Sequence, residues 1–123
     1  MKTFKYLIIN YIFFLSFAFS QDVNLQITNY SDSTIELYME NSVPVAGIQF
    51  NIESSADSFA ITEANGGLAA DAGFSLSTSN STVLGFSFTG QTIPSGNGVL
   101  CYITTSFDVS EGNTISINNP IFA

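Results

Sequence analysis

The sequence predicts an all-β domain of eight or nine short strands, arranged as an antiparallel sandwich or barrel. Apolar residues alternate with polar ones in short runs, which places one face of each strand on a core and the other in water. Gly, Pro and Asn separate these runs and mark turns, as in Asn97-Gly98. No segment shows a sustained helical period. These three observations together favour a β-sandwich or barrel over a helical or mixed fold.

Residues 1–20 are predicted to be a secretory signal peptide and are excluded from the fold. Lys2 and Lys5 supply the positive start, and an apolar stretch follows them. Ala18 and Ser20 are small residues at the −3 and −1 positions of a cleavage point. A transmembrane anchor is the alternative, but it needs about 20 apolar residues and this stretch is shorter. We therefore expect an exported bacterial protein that is secreted or held at the cell surface.

The remaining domain, residues 21–123, excludes several functions by its composition. It carries all ten carboxylates of the chain and no Lys or Arg, so it lacks the cations that bind the phosphates of nucleic acids. The chain has no His, which removes Ser-His-Asp catalysis and imidazole metal sites. Its single Cys can form neither an internal disulfide nor a thiolate zinc cluster.

Catalysis by carboxylates alone is also disfavoured. A glycosidase needs two carboxylates at a fixed separation, one of them with a raised pKa. None of the ten acids sits in a recognisable motif, and a sandwich of this size offers little room for a cleft. We therefore predict that the protein is not an enzyme.

The first three predicted strands show the clearest alternation. They cover residues 23–27, 34–40 and 46–53. Within the second strand and within the third strand, the apolar side chains alternate with polar ones and so share one face, which is predicted to point to the core: Ile35, Leu37 and Met39 in the second, and Ala46, Ile48, Phe50 and Ile52 in the third.

The connection over residues 54–73 is predicted to be mostly loop. A short strand at 59–62 interrupts it, and the Gly- and Ala-rich segment 64–72 is expected to form at most one helical turn. Acidic and amide side chains flank this connection, and Ca²⁺ prefers such oxygen ligands. The candidate calcium ligands are Asp57, Glu63, Asn65 and Asp71. Their spacing matches no calcium loop, so solvated surface acids are the alternative.

The later strands are predicted at 74–77, 84–89, 99–107 and 115–117. Within the strand at 84–89 and within the strand at 99–107, alternate apolar residues share one face and are expected in the core: Leu84, Phe86 and Phe88 in the first, and Val99, Cys101, Ile103 and Phe107 in the second. Cys101 is interpreted as a small buried hydrophobe rather than a reactive thiol.

Three segments resemble cohesin domains. Residues 43–52 read VPVAGIQFNI and look like an early cohesin strand. Residues 82–90 read TVLGFSFTG, and residues 93–100, IPSGNGVL, lead into a closing strand, as in the later cohesin strands. The resemblance covers nearly all of the domain and implies a nine-stranded jelly roll, similar to the sandwich superfamily of carbohydrate-binding modules.

The resemblance implies an exported, non-catalytic interaction module. Cohesins bind calcium-loaded dockerin domains through one sheet face, so the implied partner is a dockerin-like protein. If this carries over, segments 46–53, 84–89 and 99–107 lie in one sheet. Their outward side chains then form the candidate partner-binding face: Gln49, Asn51, Glu53, Ser87, Thr89, Tyr102 and Thr104.

Two other functions stay open on the sequence alone. A carbohydrate-binding module of a larger exported protein would bind polysaccharide on aromatic platforms, and Tyr38 and Tyr102 fall on the polar parity of their strands. A structural or adhesive spacer repeat would need no ligand. The chain stops soon after the strand at 115–117, so a final strand or a further domain is expected beyond Ala123.

Overall fold

The computed structural model describes residues 22–56, 58–106 and 114–123 of the chain. These residues form eight strands and one short helix. Their bounds are β1 Val23–Ser31, β2 Thr34–Asn41, β3 Gly47–Ser54, β4 Ile61–Asn65, α1 Gly67–Asp71, β5 Ser75–Thr78, β6 Thr82–Phe86, β7 Gly96–Thr105 and β8 Ile115–Phe122. The predicted signal peptide, Asp57 and Phe107 lie outside the described residues.

The strands form two four-stranded sheets. Sheet I has the order β1-β2-β7-β4, and sheet II has the order β5-β6-β3-β8. Every strand pair within these sheets is antiparallel. The all-β antiparallel sandwich predicted from the alternation is therefore confirmed.

The inner faces of both sheets build one core. The predicted inward residues of β2 and β3 are buried, among them Leu37, Met39 and Phe50, each fully removed from solvent. Ala46 is an exception and is exposed, because it precedes β3. Ile27 and Ile103 are also fully buried in sheet I. Period-two alternation predicts these positions well because each strand has one dry face.

The prediction for the sixth strand, β6, is wrong. Leu84, Phe86 and Phe88 are expected in the core from their parity, but they are 41%, 38% and 79% exposed. Val83 and Gly85 face inward instead. A Cβ atom on Gly85 would lie 2.6 Å from Leu76 Cδ2, so the missing side chain at Gly85 leaves that space to its neighbours. The strand also ends at Phe86, so Phe88 lies in the following loop.

A β-bulge changes which residues of β7 face the core, so the predicted faces are wrong at Val99 and Leu100. Leu37 pairs with Cys101 and Tyr38 pairs with Val99, which leaves Leu100 as the extra residue. Leu100 is fully buried although its parity predicts an outward side chain, and Val99 is only partly buried. Cys101 and Ile103 are buried as expected.

The single helical turn expected within residues 64–72 is present as α1. It begins at Gly67, whose φ is +67°. A Cβ at this position would lie 2.5 Å from the carbonyl oxygens of both Val99 and Leu100. The helix therefore reaches the backbone of β7 closely because residue 67 has no side chain.

Two crossovers between the sheets are joined to each other. Val45, between β2 and β3, and Ile93, between β6 and β7, exchange backbone hydrogen bonds of 2.9 and 2.8 Å. The buried Asn41 side chain donates from Nδ2 to the carbonyl oxygens of Val43 and Pro94, both at 2.9 Å. These bonds fix the point at which the chain enters β3, and therefore the position of Gly47.

Candidate functional site

The outer face of sheet II and its adjoining loop carry most of the large apolar side chains that are exposed among the described residues. Six large apolar or aromatic side chains are exposed in the part of the chain that the structure describes. Four of them belong to this one sheet and its adjoining loop, and we call them the apolar face: Leu84, Phe86, Phe88 and Ile121. Single exposed apolar residues are ordinary on protein surfaces, but a contiguous group marks an interaction surface.

Strand register brings these side chains together around Gln49. Leu84 of β6 and Ile121 of β8 both pair with Gln49 of β3, one on each side. Phe86 pairs with Gly47 in the adjacent row. Together with Ile48, Gly85 and Ala123, these five residues line a shallow depression of about 200 Å³.

Phe88 extends the apolar face beyond the strand. Its ring stands edge-to-face with that of Phe86, with centroids 4.8 Å apart and an interplanar angle of 68°. Ser87 shapes the loop between them, because its Oγ accepts hydrogen bonds from the backbone N–H groups of Thr89 and Gln91, both at 3.1 Å. The Ser87 hydroxyl is therefore committed to holding the loop that presents Phe88.

A bulge in β8 turns Ile121 outward. Gln49 pairs with Ile121 and Asn51 pairs with Asn118, so β8 has one more residue than β3 in this interval. Asn119 adopts a left-handed φ of +52°, which Asn tolerates better than most residues. The bulge shifts the inward and outward faces by one residue, and the end of β8 is fixed by the Ala123 N–H bond to the Gly47 carbonyl, 2.9 Å long.

The far end of the same outer face is polar. Asn51 accepts a 2.9 Å hydrogen bond at Oδ1 from the Thr82 hydroxyl. Glu53 follows two residues later, is exposed, and pairs in register with Ser116 of β8. The outer face of sheet II therefore changes from apolar at Gly47 to acidic at Glu53.

The predicted partner-binding face does not exist as one surface. Gln49, Asn51 and Glu53 lie on the outer face of sheet II. Ser87 and Thr89 lie in the loop after β6. The remaining two predicted residues, Tyr102 and Thr104, lie on β7, which pairs with β2 and β4 in sheet I. The grouping of segment 99–107 with segments 46–53 and 84–89 in one sheet is therefore wrong.

The outer face of sheet I is polar and internally hydrogen-bonded. Tyr102 pairs in register with Glu36, and Tyr38 lies two residues further along β2 on the same face. The Tyr38 hydroxyl donates to Asn97 Oδ1 at 2.9 Å. Glu36 Oε2 accepts from the Thr28 hydroxyl at 3.0 Å. The two tyrosines predicted as a glycan platform therefore share one sheet face.

The predicted calcium ligands are only partly brought together. Asn65 Nδ2 donates to Glu63 Oε2 at 2.6 Å, and both side chains are exposed on β4. Asp71 is exposed at the end of α1, and Asp57 lies outside the described residues. No group of three or more His, Cys, Asp or Glu side chains able to hold a metal occurs among residues 22–56, 58–106 and 114–123. A bound calcium ion stays a prediction.

Cys101 is buried in the core as a free thiol. Burial raises the pKa of its thiol from 9.0 to about 12, because the thiolate would lose its hydration. The group is therefore neutral at physiological pH, and its prediction as a buried hydrophobe is confirmed.

Comparisons with known proteins identify the class of this fold. No protein-family model matches the sequence, and the comparison with curated proteins gives no significant match. Among solved structures, the chain is similar to a cohesin in a dockerin–cohesin complex, that of a CaDoc0917 variant with CaCohA2. The two chains are 17% identical, with a TM-score of 0.52, and the match covers 75% of this chain and 76% of that chain. This chain is equally similar to a non-cellulosomal cohesin from the hyperthermophilic archaeon Archaeoglobus fulgidus, with 16% identity and a TM-score of 0.52 over 76% of this chain and 68% of that chain.

The protein is thus a β-sandwich with a cohesin-like fold, as the sequence segments implied. At these identities the likeness defines the fold and leaves the function to the site itself. In the described part of the chain, no helix has the length and apolar character needed to span a membrane.

Proposed function

We propose that the protein is an exported, non-catalytic interaction module that binds a protein partner through the outer face of sheet II. The observation that carries this proposal is the clustering of Leu84, Phe86, Phe88 and Ile121 on that face. The cohesin-like fold supports it, since one of its structural neighbours comes from a dockerin–cohesin complex.

The apolar face has the composition of a binding site. Aromatic and aliphatic side chains at the centre of an interface supply most of the binding energy when a partner excludes water from them. The rest of the surface is rich in carboxylates and hydroxyls, which stay hydrated. Keeping four apolar side chains exposed has no benefit for the isolated domain, because apolar surface favours burial.

The site is also rigid enough to bind without large rearrangement. Leu84, Phe86 and Gln49 lie on paired strands in the interior of sheet II, where β6 and β3 each have a neighbour on both sides. A preformed surface loses little conformational entropy on binding. Gln49, at the centre of the apolar face, supplies an amide that would fix the orientation of the partner.

A capture experiment with a matched control variant tests this proposal. The wild-type protein, a Leu84→Ser/Phe86→Ser variant and a Tyr102→Ser variant are immobilised and exposed to the host's culture medium with Ca²⁺. Tyr102 is the matched control because it is exposed to the same extent as Phe86, 38%, but lies on sheet I.

We expect the wild type and Tyr102→Ser to capture the same protein. The double variant should bind it at least about tenfold more weakly, since hot-spot side chains contribute about 2 kcal/mol or more. Equal capture by all three proteins, or no capture by the wild type, would overturn the proposal. Circular dichroism of the double variant confirms that it is folded.

Export is tested separately by sequencing the N-terminus of the protein recovered from the culture. The proposal predicts that the recovered chain begins at Gln21, because the Ala18-Phe19-Ser20 segment has the small residues required for cleavage. A chain that begins at Met1 would contradict it.

A second candidate function is glycan binding on the outer face of sheet I. It is favoured by one observation, the position of Tyr38 and Tyr102 on the same sheet face. Gln26 pairs with Tyr38 and Glu36 pairs with Tyr102, so amide and carboxylate groups flank both rings. Retardation of the protein in gels that contain neutral polysaccharides, lost in a Tyr38→Ala/Tyr102→Ala variant, would support this function, and unchanged migration in all such gels would exclude it.

A further inference from the structure

The outer face of sheet II offers two kinds of contact at a fixed separation. Gly47, Leu84 and Ile121 lie at the apolar end, and Glu53 lies at the acidic end. Leu84 and Ile121 pair with Gln49, and Phe86 pairs with Gly47. Glu53 follows these two positions by four and six residues along β3, which corresponds to about 13–20 Å along an extended strand. Since β3 is paired on both sides, this spacing is a property of the fold rather than of a mobile loop.

Charge around this face has a single sign. All ten Asp and Glu residues follow residue 20, whereas Lys2 and Lys5 are the only basic residues of the chain. Asp22 lines a second depression, of about 210 Å³, which shares Ala123 with the depression on the apolar face. Carboxylates therefore lie at the far end of this face and in a depression next to it, and the described residues contain no cation of their own to neutralise either one.

We propose, on the basis of the proposed function, that the partner is a basic protein segment with two spaced elements. Large apolar side chains would occupy the depression between Leu84, Phe86 and Ile121, and a Lys or Arg about 13–20 Å away would meet Glu53. The apolar element supplies affinity, while the cation sets the direction in which the segment lies along β3.

The same charges argue against other occupants of the face. A second copy of this chain would bring no Lys or Arg to Glu53 outside its first five residues, and the two net negative charges would repel each other. A lipid surface that carries anionic headgroups would be repelled for the same reason.

A displayed peptide library tests the chemistry of the partner directly. The probe is a phage library of random peptides about 20 residues long, selected on the wild-type protein and counter-selected on the Leu84→Ser/Phe86→Ser variant. Peptides of this length are long enough to cover the separation between the depression and Glu53 whether they bind as strands or as helices. The affinities of the selected peptides are then measured for the wild type, for Glu53→Gln and for Glu40→Gln.

Glu40→Gln is the matched control, since Glu40 is exposed on β2 in the other sheet. We expect peptides with large apolar residues and an excess of Lys and Arg over the unselected library. Glu53→Gln should weaken their binding about two- to fivefold, as expected for an exposed ion pair, while Glu40→Gln should change it less than about twofold. Binding should also weaken as the salt concentration rises.

Two results would overturn different parts of the proposal. Peptides that depend on Leu84 and Phe86 but carry no basic excess, or that respond equally to Glu53→Gln and Glu40→Gln, would remove the basic partner and leave the apolar face as the binding site. Peptides that bind the double variant as well as the wild type would remove the apolar face itself.

Sedimentation of the wild-type protein tests whether a second copy of this chain occupies the apolar face. A dimer that is lost in the Leu84→Ser/Phe86→Ser variant would show that a second copy covers the face, and would overturn the basic partner. We expect a monomer at all salt concentrations.

Discussion

The outer faces of the two sheets are built from the same alternation but differ in what they present. On sheet I, Tyr38 is hydrogen-bonded to Asn97, and Glu36 is hydrogen-bonded to Thr28. On sheet II, the corresponding outward positions of β6 are Leu84 and Phe86, which are 41% and 38% exposed. These two polar pairs on sheet I are satisfied within their own face, whereas sheet II leaves apolar surface uncovered.

The strand β6 is amphipathic, but its larger apolar side chains do not face the core. In β6 the smaller residues, Val83 and Gly85, face inward, and the larger residues face outward. Such an arrangement stabilises the isolated domain less than the reverse arrangement would. It is expected where the outward residues serve binding rather than folding.

The largest expected difference in stability is between substitutions of an inner and an outer aromatic residue of sheet II. Phe50→Ala should lower the free energy of unfolding by about 3–5 kcal/mol, because Phe50 is fully buried. Phe86→Ala should lower it by less than about 1 kcal/mol, because much of its ring is already in water. Urea denaturation of the two variants measures the difference, and similar losses would show that the apolar face is structural.

The next effect concerns two glycines on neighbouring strands. Gly85→Ala should destabilise the protein by about 1–3 kcal/mol, since the new Cβ would lie 2.6 Å from Leu76 Cδ2 and 3.1 Å from Ile48 Cγ1. Gly47→Ala should be nearly neutral, because its nearest contact would be 3.6 Å from Ala123 Cβ. Thermal unfolding of both variants checks this order, and the reverse order would mean that β6 presents its other face.

The burial of Cys101 in the core between the two sheets can be tested by the pH dependence of stability. Its thiol pKa is raised from 9.0 to about 12 by burial, so the folded state holds the proton more tightly than the unfolded state. Stability from this group is complete below pH 9 and is lost as the pH rises toward 12, by about 1.4 kcal/mol for each pH unit.

Unfolding of the wild type and of Cys101→Ala at about pH 8 and about pH 10, on either side of the ordinary thiol pKa, measures this loss. Tyr30, whose pKa burial also raises, is common to both proteins. A stability difference between the two proteins that does not change with pH would contradict the burial of the thiol. At the lower pH the wild-type thiol should also react with a thiol reagent only after unfolding.

The smallest effect is expected on sheet I. Tyr38→Phe removes the hydroxyl that donates to Asn97 and should cost about 0.5–1 kcal/mol. It should leave partner binding through sheet II unchanged. Chemical denaturation and the capture experiment together check this prediction, and a loss of partner binding would transfer the site to the outer face of sheet I.

Regular alternation allows much of the fold to be predicted from the sequence. The strands β2 and β3 follow it without interruption, so the prediction of Ile35, Leu37, Ile48 and Phe50 as core residues is confirmed. The buried Cys101 and the single helical turn are also predicted correctly, because both depend on local sequence.

The candidate site cannot be assembled in the same way. Alternation fixes two faces but does not say which one is inside, and for β6 only the space left by Gly85 decides it. The bulges at Leu100 and Asn119 change the faces of β7 and β8 without a signal in the alternation. The assignment of β7 to sheet I depends on long-range pairing with β2, which no local pattern records.

Mapping the partner's contact on the protein by NMR shows directly whether the outer face of sheet II is the binding site. Amide chemical shifts are compared with and without the protein captured by the wild type. We predict that the changes concentrate on sheet II at Gln49, Leu84 and Phe86, and that Tyr38 and Tyr102 are unaffected. Changes centred on Tyr38 and Tyr102, with Leu84 and Phe86 unaffected, would contradict the account and place the binding site on the outer face of sheet I.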